Sequence, residues 1–442
     1  MSVNEPNGTQ RYINPLDILI VPGYTIEAIV AGLNAPISMV FDENGNILIG
    51  ESGELNGNPR VMRLRDNQYE LVAEGFNSPL TGINVLNGDI YVSLKGAIIV
   101  IKEDGSMQDI ITGLPGYGDY SNYRVEFGPD GKIYFGQGSA TNSGVVGLDN
   151  LWVSNHPYFH DFPNEDIRLV GQNFVTFNFL SYAIEDFAFT GAFRPFGFTN
   201  RRNALISGGP RPTSCIYRAD LDGSNLEAYA WGIRAPVSIK FDRFNRLYAV
   251  NRGFDERGSR PINNSPDEFL EINHGYWYGF PDYSGGFPIT DPIFAPNIGE
   301  QPEFLLESHP MIPSRPTVII PPHSNASGFD FNYNSNFGPY GDVYMAETGS
   351  FYPTETGGYP YVGVGRRIAR ININNGSLST FAINRSGISA IRTNEGGFER
   401  PVDVEFGPDG AMYILDYGIA GTLSESELNI PNTGVIWRIS RT

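Results

Sequence analysis

The segment Val125–Tyr134 reads VEFGPDGKIY, and Val404–Tyr413, near the other end of the chain, reads VEFGPDGAMY. Each is a short apolar strand, a polar turn containing Gly and Asp, and a second apolar strand, which is the pattern of a β-hairpin. Looser copies of the same phrase begin at Val40, Ile83, Ile239 and Phe329. Six copies in a chain of 442 residues indicate a repeat architecture.

The closed form of such a repeat is an all-β, six-bladed β-propeller in which one hairpin opens each four-stranded antiparallel blade. The last blade ends with Gly434–Ile439 and lacks a fourth strand. We therefore expect the N-terminal strand Tyr24–Ala31 to complete that blade, because a ring closed by both termini leaves no exposed sheet edge. Residues 1–23 are then an N-terminal extension, and residues 24–442 form a single propeller domain.

Two blades contain long insertions. The hairpin of the third blade ends near Gly138 and its next strand begins near Cys215, so one insertion covers about 139–214. The fourth blade has a second insertion at about 253–315, with its next strand near Asp267. Long stretches without a regular pattern are often functional. Both leave from the ends of second strands, which lie at the same end as the starts of first strands, so we expect them to cover one active face.

The charge of the chain limits its partners. It carries 30 Lys and Arg against 49 Asp and Glu, a net charge of −19, which opposes binding to nucleic acid or an anionic membrane. No apolar run is long enough to insert into a bilayer. The start, MSVNEPNGTQ, lacks the regions of a signal peptide, so either that export route is not used or this sequence begins after the cleavage site. Cys215 is the only cysteine, which excludes an intrachain disulfide.

A ring of polar residues occupies equivalent positions after the second strands of five repeats. Its members are Glu51, Gln137, Asn251, Glu347 and Asp416. Their oxygen atoms suit a hard cation such as Ca²⁺. The same side chains also suit hydrogen bonding to the backbone of neighbouring turns, and the sequence leaves both interpretations open.

Two arginines and one histidine precede first strands. Arg400 stands directly before a proline, and Arg234 stands one residue further from one. Two arginines at one face could bind an anionic cofactor bidentately or pair with the acidic ring. His323 is the histidine that this layout puts at the same face, so it is a candidate general base.

Six short phrases occur together over most of the chain. They are GSATNSG at 138–144, DERGSRP at 255–261, SPDE at 265–268, GYWYG at 275–279, PHS at 322–324 and RPVDV at 400–404. As a set they resemble the glucose/sorbosone dehydrogenase family of quinoprotein propellers. The resemblance implies a six-bladed propeller, an extracytoplasmic location, and a soluble dehydrogenase that binds pyrroloquinoline quinone (PQQ) and Ca²⁺ and oxidises a sugar hydroxyl.

The resemblance also assigns cofactor residues. In the family, arginines neutralise the carboxylates of PQQ, and Arg234 and Arg400 resemble two of them by position. Gly253 and Phe254 resemble the pair whose backbone carbonyls hold Ca²⁺. The sequence departs from the family at Ala235, where an asparagine is expected.

The usual catalytic histidine is replaced. In the family it follows an aspartate, whereas here the stretch is Gly118–Asn122, GDYSN, so Tyr120 occupies the position of the histidine beside Asp119. A phenol with a pKa of about 10 is a poor base at neutral pH. The substitute bases are therefore His323 first, and Tyr120 or Asp119 second. Glu347 also stands where a cofactor lysine is expected, and its carboxylate would repel PQQ.

Three functions follow from these observations. The first is a PQQ- and Ca²⁺-dependent dehydrogenase that oxidises a sugar or polyol. The second is a catalytically degenerate propeller that binds a glycan or a protein partner. The third is a metal-dependent, lactonase-like hydrolase that would use the side-chain oxygens of Glu51, Asn251, Glu347 and Asp416 as ligands.

Overall fold

The computed structural model describes residues 11–66, 68–181, 183, 186–350, 364–420, 422–423, 426–427 and 430–442. Its main strands form six successive antiparallel sheets of four or five strands, which is the architecture of a six-bladed β-propeller. The predicted all-β fold with four-stranded blades is confirmed. No helix of the described residues is long and apolar enough to cross a membrane.

The first described elements are a short 3-10 turn at Pro15–Asp17, strand β1 at Ile18–Ile20 and strand β2 at Tyr24–Leu33. Strand β2 pairs antiparallel with the last strand of the chain, from Tyr24 opposite Arg441 to Leu33 opposite Gly434. The predicted closure of the last blade by an N-terminal strand is therefore confirmed. Strand β1 was not predicted, and it pairs with the outer strand of the fifth blade.

The first two blades follow directly. Blade one contains β3 Pro36–Phe41, β4 Ile47–Glu51, β5 Arg60–Arg65 and β6 Gln68–Glu74. Blade two contains β7 Leu80–Leu86, β8 Asp89–Leu94, β9 Ala97–Ile101 and β10 Met107–Thr112. These bounds agree with the expected hairpins, which alternate buried strands with polar turns.

The third blade carries the first predicted insertion, and that insertion contains strands of its own. The elements from its start to its end are β11 Asn122–Phe127, β12 Ile133–Gln137, a 3-10 turn Leu151–Ser154, β13 Ile167–Leu169, β14 Asn173–Phe177, β15 Phe187–Gly191, β16 Ala204–Ile206, β17 Cys215–Ala219 and β18 Glu227–Trp231. Strands β11, β12, β17 and β18 form the blade, while β13 pairs with β16 and β14 with β15. The long insertion is thus confirmed, but it is not structureless.

The fourth blade carries the second insertion. Its elements are β19 Pro236–Phe241, β20 Leu247–Asn251, β21 Asp267–Ile272, β22 Tyr283–Ser284, β23 Phe287–Pro288, a 3-10 turn Pro292–Phe294 and β24 Val318–Ile320. Strands β19, β20, β21 and β24 form the blade.

The last two blades complete the chain. Their elements are β25 Ala326–Phe331, β26 Val343–Glu347, β27 Arg367–Asn372, β28 Ser377–Asn384, a 3-10 turn Ala390–Arg392, β29 Pro401–Phe406, β30 Met412–Asp416, β31 Thr422–Leu423, β32 Ser426–Glu427 and β33 Gly434–Arg441. Blade five is β25 to β28 with β1 added, and blade six is β29, β30, β33 and β2.

The hairpin phrase recurs because its turn needs the same chemistry in each blade. Gly131 and Gly410 adopt φ angles of +73° and +76°, a left-handed conformation that glycine tolerates best. In the first blade Asp42 Oδ1 accepts hydrogen bonds from the backbone N–H groups of Asn44 at 3.0 Å and Asn46 at 2.9 Å. In the two near-identical copies another aspartate has this role, since Asp130 and Asp409 accept the backbone N–H groups of Lys132 at 3.3 Å and Ala411 at 3.1 Å.

The described residues group into two compact units. The first comprises those of Met1–Ile110, His323–Tyr352 and Pro360–Thr442, and the second comprises those of Ile111–Pro322. Within each unit, apolar side chains fill the space between neighbouring blades: Met39 and Leu415 share one cluster in the first unit, and Ile216 and Leu270 share one in the second. The domain boundaries at residues 1–23 and 24–442 remain predictions.

Candidate functional site

In three blades the residue that ends the second strand caps the loop leading into the first strand. A side-chain oxygen accepts a backbone N–H in three pairs, Glu51 with Asn34, Asn251 with Ala235 and Asp416 with Arg400, at 2.8 to 2.9 Å. At these positions the structure supports backbone capping rather than a cation ring. Among the described residues, no group of His, Cys, Asp and Glu side chains is arranged to hold a metal ion.

Arg234 is the centre of a buried polar network in the second unit. Its side chain is 2% exposed, and all three guanidinium nitrogens donate hydrogen bonds to oxygen atoms of the same unit. Nε donates to the Asn142 carbonyl at 2.8 Å, and Nη2 donates to Asn142 Oδ1 at 2.7 Å and to Asp255 Oδ2 at 2.9 Å. Nη1 donates to the carbonyl of Gly253. Arg234 is therefore neutralised by a carboxylate of its own chain.

Gly253 and Phe254, the predicted Ca²⁺ pair, follow the end of β20. A Cβ atom on Gly253 would lie 2.4 Å from the Pro266 carbonyl oxygen, so only glycine fits this close approach of two backbones. The Phe254 ring packs beside Arg234, with its centroid 5.7 Å from the guanidinium carbon. The structure thus brings Arg234, Gly253 and Phe254 together in the second unit.

Tyr120 lies over the guanidinium of Arg234, with 4.6 Å between the ring centroid and the guanidinium carbon. Its hydroxyl is 3.4 Å from Asp255 Oδ2, a long contact. Burial raises the pKa of Tyr120 to about 12, although the charge of Arg234 lowers it. Gly138 permits this placement, because a Cβ there would lie 2.2 Å from the Tyr120 Cβ. At neutral pH such a phenol stays protonated.

Asp119 belongs to the same network through Arg257. Arg257 Nη2 lies 2.8 Å from Asp119 Oδ2, Nη1 lies 2.6 Å from Asp149 Oδ2, and Nε lies 3.1 Å from Asp255 Oδ2. Asp119 Oδ1 also accepts a hydrogen bond from Trp152 Nε1 at 2.8 Å. Burial raises the pKa of Asp149 to about 6, despite the neighbouring arginine. The carboxylate of Asp119 is thus held by an ion pair.

Sequence reasoning gave no role to Asn142, Asp255 or Arg257, although all three stand inside the phrases that carry the family resemblance. Asn142 links the two insertions, because its Nδ2 donates to the carbonyls of Asp255 at 2.8 Å and of Arg257 at 3.1 Å. The charged cluster DERGSR beside the predicted Ca²⁺ pair was the available signal. A dense run of charges in an irregular loop next to a buried arginine favours ion pairing over solvent exposure.

A small polar recess adjoins this network. It is lined by Gly232, Arg234, Asn251, Arg252, Gly253, Phe254, Glu268, Tyr278, Phe280, Tyr283 and Ser284. Glu268 accepts hydrogen bonds from Asn251 Nδ2 and from the backbone N–H of Gly285, both at 2.6 Å. Burial raises the pKa of Glu268 to about 7, so this carboxyl group exchanges its proton near neutral pH. The sequence analysis had not singled out Glu268.

Arg400 and His323, the other two predicted site residues, belong to the first unit. Arg400 is buried and donates to the backbone carbonyls of Gly349 at 2.7 Å and Ser350 at 3.0 Å. His323 is 6% exposed and has a φ of +60°, a conformation uncommon for residues other than glycine. Its neighbour Ser324 accepts a hydrogen bond from the Gly349 N–H at 2.8 Å. The loop at Gly349 and Ser350 therefore contacts both Arg400 and Ser324, the residue that follows His323.

Comparison with known proteins gives similarity of fold. No family model and no curated protein matches the chain. Solved structures do match, among them the holo form of the pyranose dehydrogenase PQQ domain from Coprinopsis cinerea, at 15% identity and a TM-score of 0.60, covering 100% of both chains. An iodide structure of the family AA12 carbohydrate-active enzyme from Trichoderma reesei matches at 16% and 0.59, covering 99% of this chain and 100% of that one.

The PQQ-bound aldose sugar dehydrogenase from Streptomyces coelicolor also matches, at 15% identity and a TM-score of 0.53, over 96% of this chain and 99% of that one. The protein is thus glucose/sorbosone dehydrogenase-like in its fold, as the six phrases indicated. At this level of identity the likeness concerns the fold alone.

Two of the residues that the resemblance assigns to PQQ and Ca²⁺, Arg234 and Gly253, are hydrogen-bonded to each other. Arg234, the expected partner of a cofactor carboxylate, already pairs with Asp255, and it donates to the Gly253 carbonyl that a Ca²⁺ ion would need. A cofactor carboxylate would have to displace Asp255 from Arg234 or share the guanidinium with it. This donor set does not fit a carboxylate-bearing quinone or a cation at Gly253.

The free energy of unfolding is expected to fall as the pH rises from about 4 to about 6. Asp161 is buried beside the network and accepts hydrogen bonds from Ala140 N at 2.6 Å and Thr213 Oγ1 at 2.9 Å. Burial raises its pKa to about 6, whereas an unfolded Asp titrates near ~3.9. Between these values only the folded state holds the proton, so folding is weakened as pH increases.

Melting temperatures measured across this pH range test the expectation. The variant Asp161→Asn should flatten the slope, and Glu165→Gln, at an exposed position nearby, should leave it unchanged. A melting temperature that rises over the same interval would contradict the assigned direction.

Proposed function

We propose that the protein is a carbohydrate-binding propeller that has the fold of sugar dehydrogenases and works without PQQ. The observation that carries this proposal is the pairing of Arg234 with Asp255, which occupies the predicted cofactor arginine with an internal carboxylate. Tyr120, in the place of the usual base, supports it, because a phenol whose pKa is about 12 does not take up a hydroxyl proton at neutral pH.

The polar recess offers the chemistry that recognises a sugar or polyol hydroxyl. A carboxylate has about four acceptor positions, so Glu268 accepts a ligand hydroxyl in addition to its bonds from Asn251 and Gly285. Phe254 and Phe280 line the same recess as stacked, buried rings with centroids 5.9 Å apart, and they give it one apolar wall. The recess has room for little more than one water-sized group, so we expect it to take a single hydroxyl of a sugar rather than to enclose the ring.

The second candidate is a PQQ- and Ca²⁺-dependent sugar or polyol dehydrogenase. Likeness of fold over nearly the whole chain to proteins described as a holo PQQ domain and a PQQ-bound sugar dehydrogenase favours it. It requires Asp255 to release Arg234, and it requires His323 or another group to act as the base. The lactonase-like hydrolase has no comparable support, since Glu51, Asn251 and Asp416 cap backbone groups.

Ligand titration separates the first two candidates. With Ca²⁺ present, PQQ is expected to change neither the quinone absorbance nor the melting temperature, whereas a member of a sugar and polyol panel raises the melting temperature, because ligands of the folded state stabilise it. The variant Glu268→Gln should weaken that binding by about tenfold, the effect of losing one hydrogen bond to a charged group.

The matched control is Glu271→Gln on the same strand, β21, whose carboxylate faces Tyr248 at 3.2 Å. Saturable one-to-one binding of PQQ with dye-linked oxidation would replace our proposal with the dehydrogenase. Absence of any shift with both PQQ and the whole panel would exclude carbohydrates as the ligand.

A further inference from the structure

The β14–β15 hairpin in the first insertion exposes an apolar face. Val175, Phe177, Phe187 and Phe189 point outward along the two strands and are 57%, 45%, 56% and 53% exposed. Val175 lies opposite Phe189, and Phe177 lies opposite Phe187. Because alternate residues of a strand share one face, these four side chains form a continuous surface, which we call the hairpin face.

The other side of the hairpin is already buried. Ala188, between the two outward phenylalanines of β15, packs in a cluster with Val146, Val153 and Phe196. A sheet with one face on the core and one face in water normally alternates apolar and polar residues. This hairpin is apolar on the outward face as well, which is the pattern of a sheet covered on both sides.

The hairpin face carries no charge. Strands β14 and β15 read NFVTF and FAFTG, without a charged residue, in a chain that is 18% charged and has a net charge of −19. Two copies of so acidic a protein repel each other through most surfaces. Contact through an uncharged face avoids placing like charges opposite one another.

The available area suits a contact between proteins. Three half-exposed phenylalanine rings offer roughly 300 Å², given about 150–250 Å² per aromatic side chain. Phe198, whose backbone pairs with Gly191 at the end of β15, is also exposed, as are Leu180 and Tyr158. The hairpin face itself, with Val175, offers about 400 Å² per copy, so two copies would bury roughly 800 Å² in total, the size of a small interface.

We propose that the hairpin face binds the same face of a second copy of this chain, forming a two-fold dimer. A two-fold contact is self-complementary, so one apolar patch on each copy is sufficient. Burial of this area would supply the hydrophobic stabilisation that the exposed side chains lack in a monomer. The proposal is independent of the proposed function, because none of these residues lines the polar recess.

Sedimentation of the full chain over a wide range of concentration tests the proposal. The wild type is expected to form dimers, and Phe189→Lys is expected to weaken the dimer at least tenfold, because a charge would be buried at the contact. The control is Ile312→Lys, which replaces an apolar side chain that is 87% exposed elsewhere in the same unit, and it should dimerise like the wild type.

Cross-linking gives a second measurement, which stays informative even if the Phe189→Lys variant does not fold. Cys215 is the only cysteine and is buried, so a bismaleimide should join two copies of Val175→Cys but not two copies of the wild type. A wild type that stays monomeric would overturn the proposal, as would a Phe189→Lys variant that dimerises normally. Binding of the wild-type face to neutral lipid vesicles without self-association would also overturn it.

Discussion

Replacing Asp255 with asparagine is expected to destabilise the protein by about 3–5 kcal/mol and to create an anion-binding site. Asp255 Oδ2 lies 2.9 Å from Arg234 Nη2 and 3.1 Å from Arg257 Nε. Removing its charge leaves two guanidinium groups in a buried site with less negative charge to balance them. Breaking a buried ion pair by neutralising one partner costs about this much, and chemical denaturation of the variant measures it.

The second part of this prediction concerns ligands. Without the carboxylate of Asp255, the Nη2 group of Arg234 can donate to an external anion instead. A guanidinium binds carboxylates well through paired N–H groups. PQQ, which the wild type is expected to ignore, should bind Asp255→Asn and partly restore its melting temperature. Titration of both proteins with PQQ, followed by absorbance and thermal stability, gives the comparison.

A second variant separates loss of Asp255 from general loss of negative charge. Asp149→Asn removes a carboxylate that pairs with Arg257 Nη1 at 2.6 Å but leaves the partner of Arg234 in place. It should not bind PQQ, and its cost should be smaller because burial already raises the pKa of Asp149 to about 6. If Asp255→Asn gains no affinity for PQQ, then Asp255 is not what keeps Arg234 from the cofactor.

The hairpin phrase was sufficient to predict the blades, because it combines two local signals. Alternating apolar residues and a Gly-Asp turn act within about ten residues, and Gly131 and Gly410 adopt the left-handed conformations that such turns need. Strand β2 was predictable for a different reason: the last blade lacked a partner strand. Strand β1, with three residues, and the hairpins inside the insertions were missed, because their short strands are interrupted by long irregular segments.

The candidate site was predicted in part. The resemblance placed Arg234, Gly253 and Phe254 together, and the structure does so in the second unit. It did not reveal that Asp255 neutralises Arg234, because 21 residues separate them and irregular loops have no period from which contacts can be read. From sequence, Glu51 could be either a cation ligand or a cap for turn backbone. The 2.8 Å distance from the Asn34 N–H nitrogen to Glu51 Oε1 in the structure favours the cap.

Deletion of residues 1–31 is expected to unfold the last blade, and not merely to remove a dispensable N-terminal extension. The deletion removes most of β2, which pairs with β33 from Tyr24 to Leu33. Ile18 and Val30 are buried, and loss of each such core side chain costs about 1.5–3 kcal/mol. Arg11 is lost as well, which leaves the fully buried Asp416 without the guanidinium that now lies 2.9 Å away. Together with the lost backbone hydrogen bonds, these terms approach the ~5–15 kcal/mol that stabilises a whole domain.

Circular dichroism and proteolysis of the truncated protein test this expectation, and two point variants supply the controls. Val30→Asp buries a charge in the cluster shared with Met39 and should reproduce much of the loss, whereas Thr25→Asp, at an exposed position of the same strand, should be tolerated. A synthetic peptide covering Tyr24–Leu33 should restore the truncated protein, because the edge of β33 then recovers its partner. A truncated protein that melts cooperatively at the wild-type temperature would mean that β2 pairs with β33 without stabilising the blade.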